Sequence, residues 1–189
     1  IICDKNFFKN LTKIIKNNTN FDIIGCQYIK DKIFAPAGFF EPKKNVEFKK
    51  EYFENKIESM SKVEWVTGCS MLLNLKKINK RNVFDKNYFL YFEEFDLCKS
   101  IIDKGGFVYT CRDLKVHHFG FKSSVGKNNF EKNEAINIRN WHWMWSWFYF
   151  YKKNYSFSHA FFKLFGKLTK SFFKTIFYFI TNQKNQKNK

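Results

Sequence analysis

Arginine is almost missing from this chain: of 34 basic residues, only Arg81, Arg112 and Arg139 are arginines. Proteins that read nucleic acids favour arginine for bidentate contacts with bases and phosphates. The formal charge of +17, from 34 basic against 17 acidic residues, is therefore weak support for a polynucleotide partner, and no specific nucleic acid is expected. Lysine, asparagine, isoleucine and phenylalanine are enriched together, as in a chain shaped by compositional bias. The five cysteines, Cys3, Cys26, Cys69, Cys98 and Cys111, include no Cys-x-x-Cys pair. This argues against a disulfide framework and a zinc knuckle and suggests free thiols in a reducing compartment. Long apolar runs are also lacking. The longest, Trp141 to Tyr151, is broken by His142 and Ser146 and stops at Lys152, whereas a spanning helix needs ~20 largely apolar residues. The start, Ile1-Ile2-Cys3-Asp4-Lys5, has no Met and no basic-then-apolar order of a signal peptide. It reads as a fragment beginning in mid-strand.

What is present is apolar and aromatic. Hydrophobic residues make up 44% of the chain and aromatics 21%, too much for a disordered polybasic tail, and 189 residues suit one ordinary domain. Phe7, Phe8, Leu11, Ile14 and Ile15 share one face of a helix over 5–16, and Asp22 to Ile29 reads as a strand. From Ala35 to Met60 the pattern weakens around Pro36, Gly38 and Pro42, as in a long surface excursion. Strands follow at 63–66 and 71–73, a short helix at 76–82, and an extended aromatic segment from Phe84 to Phe92. Glu93 to Lys104 reads as a helix with Phe95, Cys98, Ile101 and Ile102 inward and Gly105-Gly106 as its stop. Two short strands, 107–111 and 115–118, complete an alternating pattern, so the fold class is α/β.

The C-terminal part differs in kind. Over Phe157 to Ile180 the apolar residues, mostly phenylalanine, fall on one broad helical face, and Lys163, Lys167, Lys170 and Lys174 fall opposite. A helix packed on the domain would account for this. An aromatic face with purely cationic flanks also suits an anionic membrane interface, with Trp141, Trp143, Trp145 and Trp147 as interface rings just before it. Asn182 to Lys189 reads as a polar tail.

Three clusters could carry chemistry. In Phe89-Leu90-Tyr91-Phe92-Glu93-Glu94-Phe95-Asp96-Leu97-Cys98, three carboxylates stand at a helix N-terminus. The dipole and free N–H groups there favour the ionised form, which suits a general base. Asp96 alone reads most simply as a cap; the adjacent Glu93 and Glu94 repel one another and have less reason to be structural. Gly68-Cys69-Ser70, small residues after an apolar strand, would admit a bulky ligand close to the backbone, or simply form a tight turn. His117 and His118, adjacent at a strand end, point to opposite faces, so at most one serves a given site.

Taken in order, Trp65-Val66-Thr67-Gly68-Cys69-Ser70-Met71-Leu72, Phe84-Asp85, Phe89 to Cys98, Gly105-Gly106-Phe107 and Val116-His117-His118-Phe119-Gly120 resemble family 2 glycosyltransferases, nearest their rhamnosyltransferase-like branch. The likeness covers about residues 1–125, with Arg139-Asn140 and Lys152-Lys153 also fitting. It implies a partial GT-A fold, a mixed sheet with flanking helices, followed by C-terminal amphipathic helices. It implies an inverting transfer of a hexosyl or deoxyhexosyl unit from a nucleotide-sugar donor to a saccharide or lipid-linked acceptor in surface polysaccharide synthesis. By this likeness Glu94 is the base, in a position where the family has aspartate, with Glu93 contacting the acceptor or orienting the site and Asp96 either structural or close behind. Trp65, Gly68, Cys69 and Ser70 would line the sugar cleft, and His118 would bind the metal or the diphosphate. The cofactor would be a divalent metal, Mg or Mn, whose main acidic ligand is expected upstream of residue 1, together with most of the nucleotide pocket.

On this reading residues 1–125 are the acceptor side of the transferase, 126–181 an aromatic and basic helical extension at an anionic membrane surface, and 182–189 a tail. The chain alone would not turn over. Its parent would work at the inner face of a bacterial cytoplasmic membrane. Competing expectations are a basic nucleic-acid-binding module and a non-catalytic membrane-associated scaffold.

Overall fold

The structure is a computed structural model that describes residues 1–17, 20–29, 36–78, 83–118 and 129–187. It is mixed α/β. Its centre is the strand pair β2 (Ile23–Ile29) and β7 (Val108–His117), which run parallel. β6 (Met71–Leu73) lies antiparallel on the other edge of β2. The far edge of β7 is shared end to end: β4 (Met60–Val63) pairs with residues 108–111, and β1 (Ile2–Cys3) with 116–117. A second, two-stranded sheet joins β3 (Ala37–Gly38) to β5 (Trp65–Val66).

Alternation along β2 sends neighbouring side chains to two cores. Ile24 and Cys26 join Ile14, Phe21, Cys111, Leu114 and Val116 under α1 (Phe7–Asn17). Ile23 joins Val63, Val66, Leu97, Cys98, Ile101 and Val108 on the other face, beneath α2 (Pro42–Phe53) and α3 (Glu93–Ile102). The result is a sheet with helices on both faces.

Several local expectations change. The segment expected to be a loose excursion holds α2: Pro42 starts the helix, where a missing N–H costs nothing, and Phe48 and Tyr52 bury against the sheet. The two strands expected at 107–111 and 115–118 are one, β7, with Arg112, Asp113 and Leu114 bulging between the paired positions Cys26–Cys111 and Gln27–Lys115. Residues 84–92 are turns rather than an extended strand. Residues 74–78 are turns, and most of the helix expected at 76–82 lies outside the described residues. Gly105 does end the α3 region, at φ +76°.

Two long helices follow, α4 (Asn129–Asn154) and α5 (Phe157–Lys187). The second runs through most of the expected polar tail. α4 docks through Phe150, which is buried and packs on Phe40 and Phe92 at 5.9 and 5.5 Å. The Ser146 hydroxyl donates to the Leu90 carbonyl at 2.8 Å. Among the described residues no helix is long and apolar enough to cross a membrane.

Candidate functional site

Glu94 continues the inward stripe of α3, being one turn before Leu97 and Cys98 and two before Ile101. The spacing that buries those side chains also draws the Glu94 carboxyl against the loop after β5. Gly68 lies directly against it: a Cβ at that position would meet Cβ and Cδ of Glu94 at 3.4 Å, an ordinary contact. The Gly68 N–H donates to Glu94 Oε1 at 3.4 Å, a long bond. Neither Oε2 of Glu94 nor Oε2 of Glu93 has a partner, although both atoms are buried. Among the described residues no salt bridge seals Glu94.

Its electrostatics differ from the expectation of a firmly ionised acid. Burial, and then the neighbouring Glu93, push the Glu94 carboxyl up to about 7, against smaller lowering by its own N–H and that of Gly68. Desolvation outweighs the helix terminus. The terminus itself is unusual. Tyr91 and Phe92 both have positive φ, 69° and 68°, in the left-handed region that side chains avoid. The Phe92 ring, held among Phe95, Phe150 and Trp143, fixes this turn, and no side chain caps the helix.

The other expected residues divide into two groups. Ser70 and Cys69 lie at the same rim. The Ser70 carbonyl accepts the Cys26 N–H at 3.1 Å, and the Cys69 sulfur sits 3.5 Å from the Thr67 hydroxyl. Burial raises the Cys69 thiol, and Glu94 lies near enough to add to that. Cys69 in turn raises the Tyr28 phenol, after burial. The Tyr28 ring meets His118 edge-on at 6.1 Å. Tyr28 and His118 thus meet at the carboxyl ends of β2 and β7, the end of parallel strands where α/β proteins hold ligands, and the Gly68–Ser70 loop that touches Glu94 joins β2 at Cys26. His117 is exposed.

Trp65 and Asp96 stand elsewhere. Trp65 stacks on Phe95 at 4.8 Å and donates its indole N–H to the Phe39 carbonyl, so its expected role under a sugar competes with packing. Asp96 does not cap α3. Its buried carboxylate faces the opposite way from Glu94 and accepts from Tyr88 Oη at 3.2 Å, Lys153 Nζ at 2.6 Å and Asn154 Nδ2 at 3.0 Å. Lys153 bridges on to Asp85 at 2.8 Å, and Tyr149 Oη donates to Asp85 at 3.1 Å. A cavity of about 1000 Å³ opens on this side, lined by Asp22, Phe84, Asp85, Asp96 and Lys153, and Glu94 does not reach it. The Asp85 and Asp96 carboxylates there are already paired with Lys153. Among the described residues the carboxylate oxygens that are buried and unpaired are on Glu93 and Glu94, so the candidate site is the rim.

Among the described residues no three His, Cys, Asp or Glu side chains converge to hold a metal ion. His118 would be a single donor, and the described residues do not by themselves fit a divalent cation. Sequence reasoning missed two features. The Asp85–Lys153–Asp96 bridge had a trace in Lys152-Lys153, but nothing in the residue types linked α4 to α3. The left-handed pair before Glu93 had no signal, since neither residue is glycine or asparagine. Comparison with protein-family models finds no match for the chain, and comparison with curated proteins finds none.

Proposed function

We propose that this chain is the acceptor side of an inverting glycosyltransferase with a GT-A fold, acting on a nucleotide-sugar donor and a saccharide or lipid-linked hydroxyl acceptor. The observation that carries the reading is the Glu94 carboxyl: shielded, among the described residues free of any salt bridge and with one oxygen unpartnered, against the loop that follows β5. A carboxyl at about 7 suits a general base, because it is both substantially ionised and basic enough near neutral pH.

The chemistry is a single displacement. Glu94 takes the proton of the acceptor hydroxyl as its oxygen forms a bond to the anomeric carbon. The bond from that carbon to the diphosphate oxygen breaks, and the diphosphate leaves with the electron pair. Gly68, whose backbone lies against the carboxyl, would line the cleft that the sugar ring enters. His118 and Tyr28 stand at the carboxyl ends of β7 and β2, where polar groups of the donor would lie. No step is assigned to a metal.

The test is sugar transfer by the complete gene product and its Glu94→Gln variant. Transfer should fall by about a thousandfold or more while donor binding persists, since the base acts only on the acceptor. In the unsubstituted protein kcat/KM should rise with pH through about 7, as Glu94 loses its proton. Transfer that survives in the glutamine variant would remove Glu94 from the mechanism.

A further inference from the structure

A soluble helix turns its apolar face inward, and α5 does the reverse. Lys163 and Lys167 stand over the rings of α4, Lys163 at 4.2 Å from Tyr151 and Lys167 at 4.1 and 4.3 Å from Trp143 and Trp147. Only Ala160 of α5 is buried among its described side chains. The opposite arc, Phe161, Phe165, Leu168, Phe172, Ile176 and Phe179, is 38 to 65% exposed. The α4–α5 pairing spends the cationic side of α5 on aromatic rings and, among the described residues, leaves the arc from Phe161 to Phe179 facing away from α4. An apolar surface of this extent on a soluble protein marks a partner.

The charges indicate which one. From Ala135 to Lys187 there is no Asp or Glu, so every fully charged side chain of both helices beyond that point is cationic. Trp141 and Trp145 of α4 are exposed as well. A second copy of the chain would bring another +17 against this one. A lipid surface bearing negative headgroups offers the apolar layer that the arc lacks and is attracted by the net positive charge of the two helices and of the chain. Since α5 is not apolar enough to cross a bilayer, it would lie along it.

We infer that α5 docks this protein on an anionic lipid leaflet, with the Phe161–Phe179 arc sunk into the boundary between headgroups and acyl chains. The inference does not depend on the glycosyl reading and would stand if that reading failed.

The experiment is co-sedimentation of the full chain with phosphatidylcholine vesicles and with vesicles in which about a third of the lipid is phosphatidylglycerol. Binding to the anionic vesicles should be at least about tenfold tighter and should weaken with salt. The double variant Phe165→Glu/Phe172→Glu, changed only at exposed positions and checked for unchanged helicity, should lose about tenfold or more of it. Equal binding to both vesicle types, or full binding by the double variant, would overturn the inference. So would a chain that ignores vesicles but sediments as a dimer that the double variant splits, which would assign the arc to a second copy.

Discussion

At the scale of one residue, Glu94 sets a conflict between stability and chemistry. Its folded-state carboxyl is raised to about 7 from an ordinary value of 4.5. A raised acid favours the folded state below its unfolded value, and that advantage is lost as pH climbs through the folded value. Ionised Glu94 therefore works against folding above pH 7, and Glu94→Gln should stabilise the chain there. The gain at pH 8.5 should be about 2–3 kcal/mol and should vanish near pH 4.5. Urea midpoints of the two proteins across that range measure it, with no substrate needed. A gain that is flat with pH would mean the carboxyl is not desolvated. That an acid stands at this helix start was legible in Glu93-Glu94; its near-neutral character was not. The expectation rested on the helix terminus, a local property, whereas the shift comes from burial of the carboxyl in the folded chain and, after that, from Glu93 beside it.

At the scale of elements, what could be read followed periodicity. α1, β2 and α3 each carry an uninterrupted apolar rhythm, and all three stand within a residue or two of where that rhythm puts them. α2 was hidden because Pro42 reads as a breaker unless it is known to open a helix, and its inner face is only Phe48 and Tyr52 among lysines and glutamates. β7 was split because a three-residue bulge resets the alternation midway. The clamp that fixes α3 joins elements some 57 residues apart and has no local signature. It makes its own prediction. Burial pushes Asp85 up, but Lys153, the Asn87 N–H and Tyr149 outweigh it and hold the carboxyl at about 2, below its ordinary 3.8. A depressed acid contributes stability above its unfolded value, and that contribution is lost as pH falls through the folded one. Lys153→Met leaves Asp85 and Asp96 without their cation. It should cost about 1–3 kcal/mol at pH 7, the lower end reflecting the solvent that still reaches the lysine. The difference from the parent should shrink between pH 4 and 2, as thermal melts over that range would record. An unchanged gap at acid pH would mean that the ion pairs contribute nothing and the lysine stem does all the packing.

At the scale of the whole molecule, the chain divides by how its apolar residues are spent. In the α/β layers Ile23, Ile24, Val66, Val108 and Val116 are fully buried between helices and sheet, and α4 adds Phe150 to that account of buried area. α5 stands apart, because its attachment is Ala160, Phe157 edge-on to Phe148, His159 stacked on Tyr151 and two lysines over rings, while its phenylalanines from Phe161 onward are exposed. Ending the chain after Asn154 should therefore leave a folded protein. Each stacked lysine contributes roughly 0.5–1 kcal/mol, so the loss, with some exposed rings of α4, should be about 2 kcal/mol. In a chain of this size that lowers the melting temperature by about 4–8 °C. Near-ultraviolet circular dichroism should keep its fine structure, since Trp65 and most aromatic pairs of the layers are untouched. Light scattering at high concentration should fall, because the exposed arc is gone. If the shortened chain instead melts without cooperativity, α5 is part of the core, its phenylalanines must turn inward in solution, and a helix whose apolar side faces away from the protein is the wrong description of it.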